Sequence, residues 1–170
     1  MRLPMIWQPA RSANLAPQTI QAPVGHVDLA KTFCRVAGIA PPSHCEGALM
    51  PVTNDEANAQ DRQFQLTEWD SEHGTIDMHL KSLFHKDGWL ITCYEPSHLY
   101  DGSEGELYNV NEDPDQITNL WGHPKHRETQ QELKALLMPP YQHLDCQSLR
   151  ASHQFKAVVG MVLNRLKRSQ

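Results

Sequence analysis

Between residues 64 and 110 four strand-like segments follow one another with no helix between them, and this limits the fold more than any other feature of the sequence. Phe64-Gln-Leu-Thr-Glu-Trp69 alternates apolar and polar residues with period two, as a half-buried strand does. Leu80–Phe84 and Trp89–Tyr94 read as two more, joined by a turn at Lys86-Asp87-Gly88. Glu106–Val110 is a fourth. Asn111-Glu-Asp-Pro-Asp115 then breaks the pattern: Asp113 can accept from backbone amides ahead of it while Pro114 fixes φ, so a turn is predicted there.

Helical signals flank these strands. Asp28 offers a carboxylate to the free N–H groups of a helix start. Leu29, Phe33, Val36 and Ala37 follow at helical spacing, and Gly38 supplies a left-handed stop. Pro124 opens a later helix in a first-turn position, Leu133, Leu136 and Leu137 give its apolar face, and Pro139-Pro140 ends it. Upstream, Leu3–Trp7 is a continuously apolar run closed by Pro9, which reads as a strand buried on both faces of a sheet. Such a strand needs neighbours, so we expect a preceding unit to supply them. Residues 18–27 could form another extended segment, and residues 40–62, rich in Pro, Asn, Gln and Asp, read as a linker.

Composition sharpens this picture. Apolar residues make up 39% of the chain, below the roughly 45–50% of ordinary globular chains, which points to a loop-rich protein or a piece of a larger one. The net charge of −5 would not attract nucleic acid. It is divided unevenly: all 20 Asp and Glu lie at or before Asp145, against ten Lys and Arg, while Arg150, Lys156, Arg165, Lys167 and Arg168 lie beyond it. The last segment is therefore a basic tail. Phe155, Val158, Val159, Val162, Leu163 and Leu166 give it one apolar stripe at helical spacing, fit to dock on the chain's own acidic part or to lie on a membrane surface. The longest late apolar run, Val158–Leu163, is too short to span a bilayer. Cys34, Cys45, Cys93 and Cys146 form no C-x-x-C pair and no zinc spacing, so idle or buried thiols are expected. The N-terminus lacks the charged and apolar regions of a signal peptide, which leaves the compartment open and favours the cytoplasm.

The sequence contains no G-x-S-x-G elbow, no phosphate-cradling glycine loop and no H-E-x-x-H helix. His123 and His126 are spaced for one helix face, and His44-Cys45 sits in a proline-rich loop; exposed loop histidines account for both better than metal ligands. One segment carries more. Thr67-Glu-Trp-Asp-Ser-Glu-His-Gly74 ends a strand in acids, an aromatic and a histidine, and His79 follows closely. Polar groups at a strand end suit a ligand-contacting loop. A solvated charged loop is the competing reading.

Three motifs now fall into order. Leu3-Pro-Met-Ile-Trp-Gln-Pro resembles the "R-V-P-x-I-x-x-P-G" strand of the sulfatase family. His26-Val-Asp-Leu-Ala-Lys-Thr-Phe-Cys-Arg-Val-Ala-Gly-Ile39 is similar to its "x-V-D-L-x-P-T-x-x-x-x-A-G-I" helix, with Lys31 in place of the proline. Gly105-Glu-Leu-Tyr-Asn-Val-Asn-Glu-Asp-Pro-Asp-Gln-Ile-Thr-Asn-Leu120 resembles "x-E-L-Y-D-L-x-x-D-P-x-E-x-x-N-L". Leu90 stands where a lysine is common in the third strand, which removes any lysine contact there. The tail from Cys146 lies outside the resemblance.

The resemblance implies an α/β to α+β arrangement. Residues 1–55 would be the last strand and helix of a large alkaline-phosphatase-like α/β domain. Residues 62–145 would be a small four-stranded antiparallel sheet with a C-terminal helix, and 146–170 the amphipathic tail. It implies a sulfuric ester hydrolase that uses formylglycine, made from a Cys or Ser within C/S-x-P-x-R, together with a divalent cation, usually calcium. In the family those residues precede the strand that resembles Leu3–Trp7, and no Cys or Ser here has Pro two residues on and Arg four residues on. No catalytic or metal residue is therefore carried over, and the chain alone is expected to be inactive. What carries over is the role of the small sheet in choosing the sulfate-ester substrate, with Glu68, Trp69, Asp70, His73 and His79 as the substrate-binding candidates. Two alternatives remain: part of a phosphonate or phosphate-diester hydrolase, whose C-terminal pattern Thr67-Glu-Trp-Asp70 also resembles, or a non-catalytic binding module. Apolar surface left bare on the isolated chain would favour self-association.

Overall fold

The computed structural model describes residues 5–73 and 76–137. Four strands, β1 (Phe64–His73), β2 (Ile76–His85), β3 (Trp89–Tyr94) and β4 (Gly105–Asn109), form one antiparallel sheet in sequential order. All four predicted strands are present. The register places Leu66, Leu83, Ile91 and Leu107 in one row across the sheet. Leu83, Ile91 and Leu107 have no exposed surface. Helix α3 (Arg127–Leu137) lies over this row with Leu133 and Leu137 buried, and Phe64, Leu66, Trp89, Trp121 and Leu136 pack around them. Spacing of three and four residues sets these leucines on one side of the helix. Pro124 begins the approach as expected, in a 3-10 turn (Pro124–His126) that leads directly into α3.

The turns follow their chemistry. Gly88 adopts φ +90, which few other residues tolerate, and Asn111 Nδ2 donates to the Asp87 carbonyl over the same turn. Asp113 accepts from the amides of Ile117 and Thr118, at 3.2 and 2.9 Å, as the sequence predicts.

Helix α1 (Val27–Ala37) forms where expected and ends on Gly38 at φ +68. Its Asp28 does something other than cap the helix, correcting the expectation. The carboxylate is fully buried and turned away from the free helical amides. It accepts from Gly25 N, Ala48 N and both terminal nitrogens of Arg62. Thr32, also buried, donates to the Asp28 carbonyl at 2.7 Å and accepts from Met50 N at 2.9 Å. The inward side of α1 is thus polar. Val27, Phe33, Val36 and, just beyond, Ile39 are left on the outside.

Three further expectations are corrected. The 40–62 linker contains a helix, α2 (Asn54–Gln60), in which Thr53 Oγ1 accepts from Glu56 N and which Arg35–Glu56, at 2.8 Å, ties to α1. Met5–Trp7 is irregular rather than a buried strand, with Ile6 94% exposed, because no neighbouring strand within the described residues pairs with it; Leu3 and Pro4 lie outside them. Residues 18–27 join no sheet either. The Pro139-Pro140 stop and the tail stripe also lie outside the described residues.

Candidate functional site

β1 and β2 run past the end of α3 as a long hairpin, and here the side chains change character. Glu68 pairs in register with Lys81, Asp70 with His79, and Glu72 with Asp77. With Leu66 opposite Leu83 one pair earlier, the face that carries the apolar core under α3 becomes charged beyond it. Thus Asp70 and His79, like Glu68, belong to a regular ladder rather than to a ligand-contacting loop at the strand end. The run of polar residues Asp70–His73 hid the end of this strand, whereas ladder hydrogen bonds need only the backbone.

His79 sits at the centre of the charged patch. Its Nδ1 lies 2.8 Å from Asp70 Oδ1, and its Nε2 lies 2.5 Å from Asp77 Oδ1, a contact of charges rather than an aligned hydrogen bond. The bond to Asp70, reinforced by Asp77, holds the imidazole pKa above its ordinary value. One turn of the ladder away, Lys81 Nζ donates to Glu95 Oε1 at 2.7 Å. Burial works against the lysine charge, yet Glu95, with Glu68 and Asp70 further off, keeps its pKa above the usual range. Lys81, and His79 when protonated, are already matched by carboxylates. The patch is therefore suited to hydroxyl and amine groups rather than to the sulfate of an ester, which needs unmatched positive charge.

The opposite face of the hairpin is different. Trp69, Leu80 and Tyr94 share one row. Trp69 is 60% exposed. The Tyr94 hydroxyl donates to Glu106 Oε1 at 2.8 Å; burial and that bond together push its pKa up to about 12. The five sequence candidates are thus divided. Glu68, Asp70 and His79 share the charged face, Trp69 stands on the other, and His73 takes the last register position of β1 opposite Ile76. Sequence reasoning missed Asp77, Lys81 and Glu95. The first two alternate with His79 along β2, a period-two signal readable once the strand is extended back to Ile76.

The remaining candidates resolve as ordinary surface. The rings of His123 and His126 lie tilted against each other with centroids 5.3 Å apart, and His126 also lies against Trp89 at 5.5 Å. His44 and Cys45 line an open cleft of about 640 Å³ with His26 and Glu46. Among the described residues no three His, Cys, Asp or Glu side chains gather to hold a metal ion, and no helix is long and apolar enough to cross a membrane.

The family model described as N-sulphoglucosamine sulphohydrolase, C-terminal, matches residues 1–142. The chain belongs to this family. The sulphohydrolase C-terminal match spans α1, the whole sheet and α3, so the charged hairpin lies inside it. Two relatives come from Bacteroides thetaiotaomicron. A Delta 4,5-hexuronate-2-O-sulfatase is 30% identical over 124 residues, 68% of this chain and 24% of that protein. An N-acetylglucosamine-6-O-sulfatase is 30% identical over 143 residues, 80% of this chain and 24% of that protein. Among solved structures, a sulfatase-like protein of the same organism superposes with a TM-score of 0.54 at 29% identity, over 65% of this chain and 23% of its own. Another, solved with its substrate D-glucosamine-2-N,6-O-disulfate, gives a TM-score of 0.53 at 26% identity, over 65% and 22%. The four-stranded sheet with its C-terminal helix is thus a sulfatase element, as the resemblance implied. The chain spans about a quarter of the length of the curated relatives it matches.

Proposed function

We propose that this chain is the substrate-selecting C-terminal part of a sulfuric ester hydrolase that acts on a sulfated sugar. The observation that carries the reading is the charged end of the β1–β2 hairpin, which lies within the region matched to the sulphohydrolase family. Asp70, Asp77 and His79 offer two carboxylates and an imidazole held between them, and sugar hydroxyls or a sugar amine can bond to such groups. Glu68, Trp69 and His73 are proposed contacts of the same hairpin. The two curated relatives are both sulfatases acting on sugar units by name, which supports this reading over a phosphonate or phosphate-diester hydrolase.

The residues of this chain do not fit the family's reacting groups. There is no C/S-x-P-x-R motif in the sequence and, among the described residues, no metal-holding cluster. Formylglycine and calcium are accordingly proposed to belong to the other three quarters of a full-length enzyme, along with the groups that grip the sulfate. The purified chain should turn over no aryl sulfate or sulfated sugar above background. Joined behind the catalytic portion of a sulfatase of this family, it should support hydrolysis of a sulfated glucosamine. Metal-dependent turnover by the chain alone, lost on one substitution within it, would overturn the reading; so would a well-folded fusion with no activity.

A further inference from the structure

The sheet face opposite α3 carries an arrangement that the charged patch does not use. Trp69, Leu80 and Tyr94 stand in register across β1, β2 and β3. Tyr100 extends the row, its ring centroid 4.6 Å from that of Tyr94. The adjoining row is made of hydroxyls and a carboxylate: Ser82 Oγ and Thr92 Oγ1 lie 2.9 Å apart, and Glu106 holds the Tyr94 hydroxyl. The indole is 60% open beside hydrogen-bonding groups, so a ligand can lie on it and bond at its rim. A pyranose has matching chemistry, with an axial C–H face that rests on an aromatic ring and hydroxyls at its rim that reach donors and acceptors beside it.

Charge narrows the choice of sugar. The register rows on this face contain Glu106 but no lysine or arginine. Leu90 pairs with Phe84 and Tyr108 on the same face. A sulfate group on the Trp69–Tyr94 row would meet the Glu106 carboxylate, with no lysine or arginine in the described register rows to answer it. We propose that Trp69, Tyr94 and their hydroxyl rim bind an uncharged sugar unit of an oligosaccharide, on the sheet face away from Asp70 and His79. The choice of a sugar rests on the sulfatase reading; the binding itself does not depend on catalysis.

The test titrates the full chain with the N-acetylglucosamine disaccharide and, separately, with D-glucosamine-2-N,6-O-disulfate. Binding is followed by NMR at the Trp69 indole N–H, assigned through Trp69→Phe. The disaccharide should shift that signal saturably, and the disulfate should bind at least about tenfold more weakly at this face. Trp69→Ala should weaken disaccharide binding by about tenfold or more, while Trp69→Phe, which keeps a ring, should retain part of it. Glu106→Gln should narrow the gap between the two sugars. An unmoved indole signal, unchanged affinity in Trp69→Ala, or equal binding of the disulfate would overturn the proposal. A chain that binds the disaccharide through Trp69 yet gives an inactive fusion would refute the sulfatase reading and leave this surface standing. An active fusion whose chain ignores the disaccharide would do the reverse.

Discussion

His79 shows how much a single residue gains from its register. In a loop it would be a free imidazole; in β2 it is set between Asp70 on the next strand and Asp77 two residues before it. The bond to Asp70 raises its pKa in the folded chain above the roughly 6.5 of an unfolded histidine. The ion pairs are therefore fully formed below about pH 6.5, and whatever they add to the hairpin fades as pH rises through the higher folded value. An NMR titration of the His79 ring should give a midpoint above 6.5, and Asp70→Asn should bring it down. A midpoint at or below 6.5 in the parent chain would show that the cluster does not form in solution. At the same scale, Tyr94 should stay un-ionised in alkali well past an ordinary tyrosine, since its pKa is pushed up to about 12.

Among the elements, α1 is held by a buried ion pair rather than by its own apolar side. Arg62 and Asp28 meet at 2.8 Å, with the carboxylate wholly buried, and Gly25 and Ala48 complete its hydrogen bonds. Removing one partner strands the other charge, so Asp28→Ala should cost about 3–5 kcal/mol in denaturant unfolding. Loss of less than about 1 kcal/mol would mean that the pair is open to water. Because the Asp28 pKa is lowered in the fold, this contribution is present above the ordinary carboxylate range and disappears as pH falls through the depressed value. The helix itself was legible in the sequence from its spacing and Gly38, but the role of Asp28 was not. A carboxylate at a helix start looks like a cap, and only the fold brings up Arg62 from 34 residues away. Helix α2 was missed although Thr53 and Glu56 have capping-box spacing, because Asn54–Gln60 offers almost no apolar face to read. The core strands were legible because Leu66, Leu83, Ile91 and Leu107 mark the buried face. The charged end was less so: Ile76-Asp77-Met78-His79-Leu80 alternates, but the acids and histidine of Asp70–His73 look like a loop.

The whole molecule is assembled in two manners, with a core under α3 and an apolar stripe left outside on α1. Phe33 is 54% exposed, Val36 65% and Ile39 61%, and Trp7 stacks on Phe33, at 6.2 Å between ring centroids. Covering such surface is worth roughly 25 cal/mol per Å². We therefore expect the isolated chain to bind a hydrophobic dye or to self-associate, and Phe33→Glu with Val36→Glu to diminish both. A monodisperse monomer with a sharp melt and no dye binding would contradict this. The stripe fits the proposal that residues 1–55 complete a larger α/β domain, while the hairpin reaches toward substrate at the other end of the sheet. The most direct test of that division of labour is a ratio. In a fusion with the catalytic portion of a family sulfatase, kcat/KM is measured for a sulfated disaccharide and for a minimal aryl sulfate, with Asp70→Ala and His79→Ala as variants. A contact to the remote part of a substrate does not exist when that part is missing, so the ratio should fall by roughly tenfold to a hundredfold in each variant. Equal changes on both substrates, within about 0.5 kcal/mol of the parent, would remove the hairpin from the site.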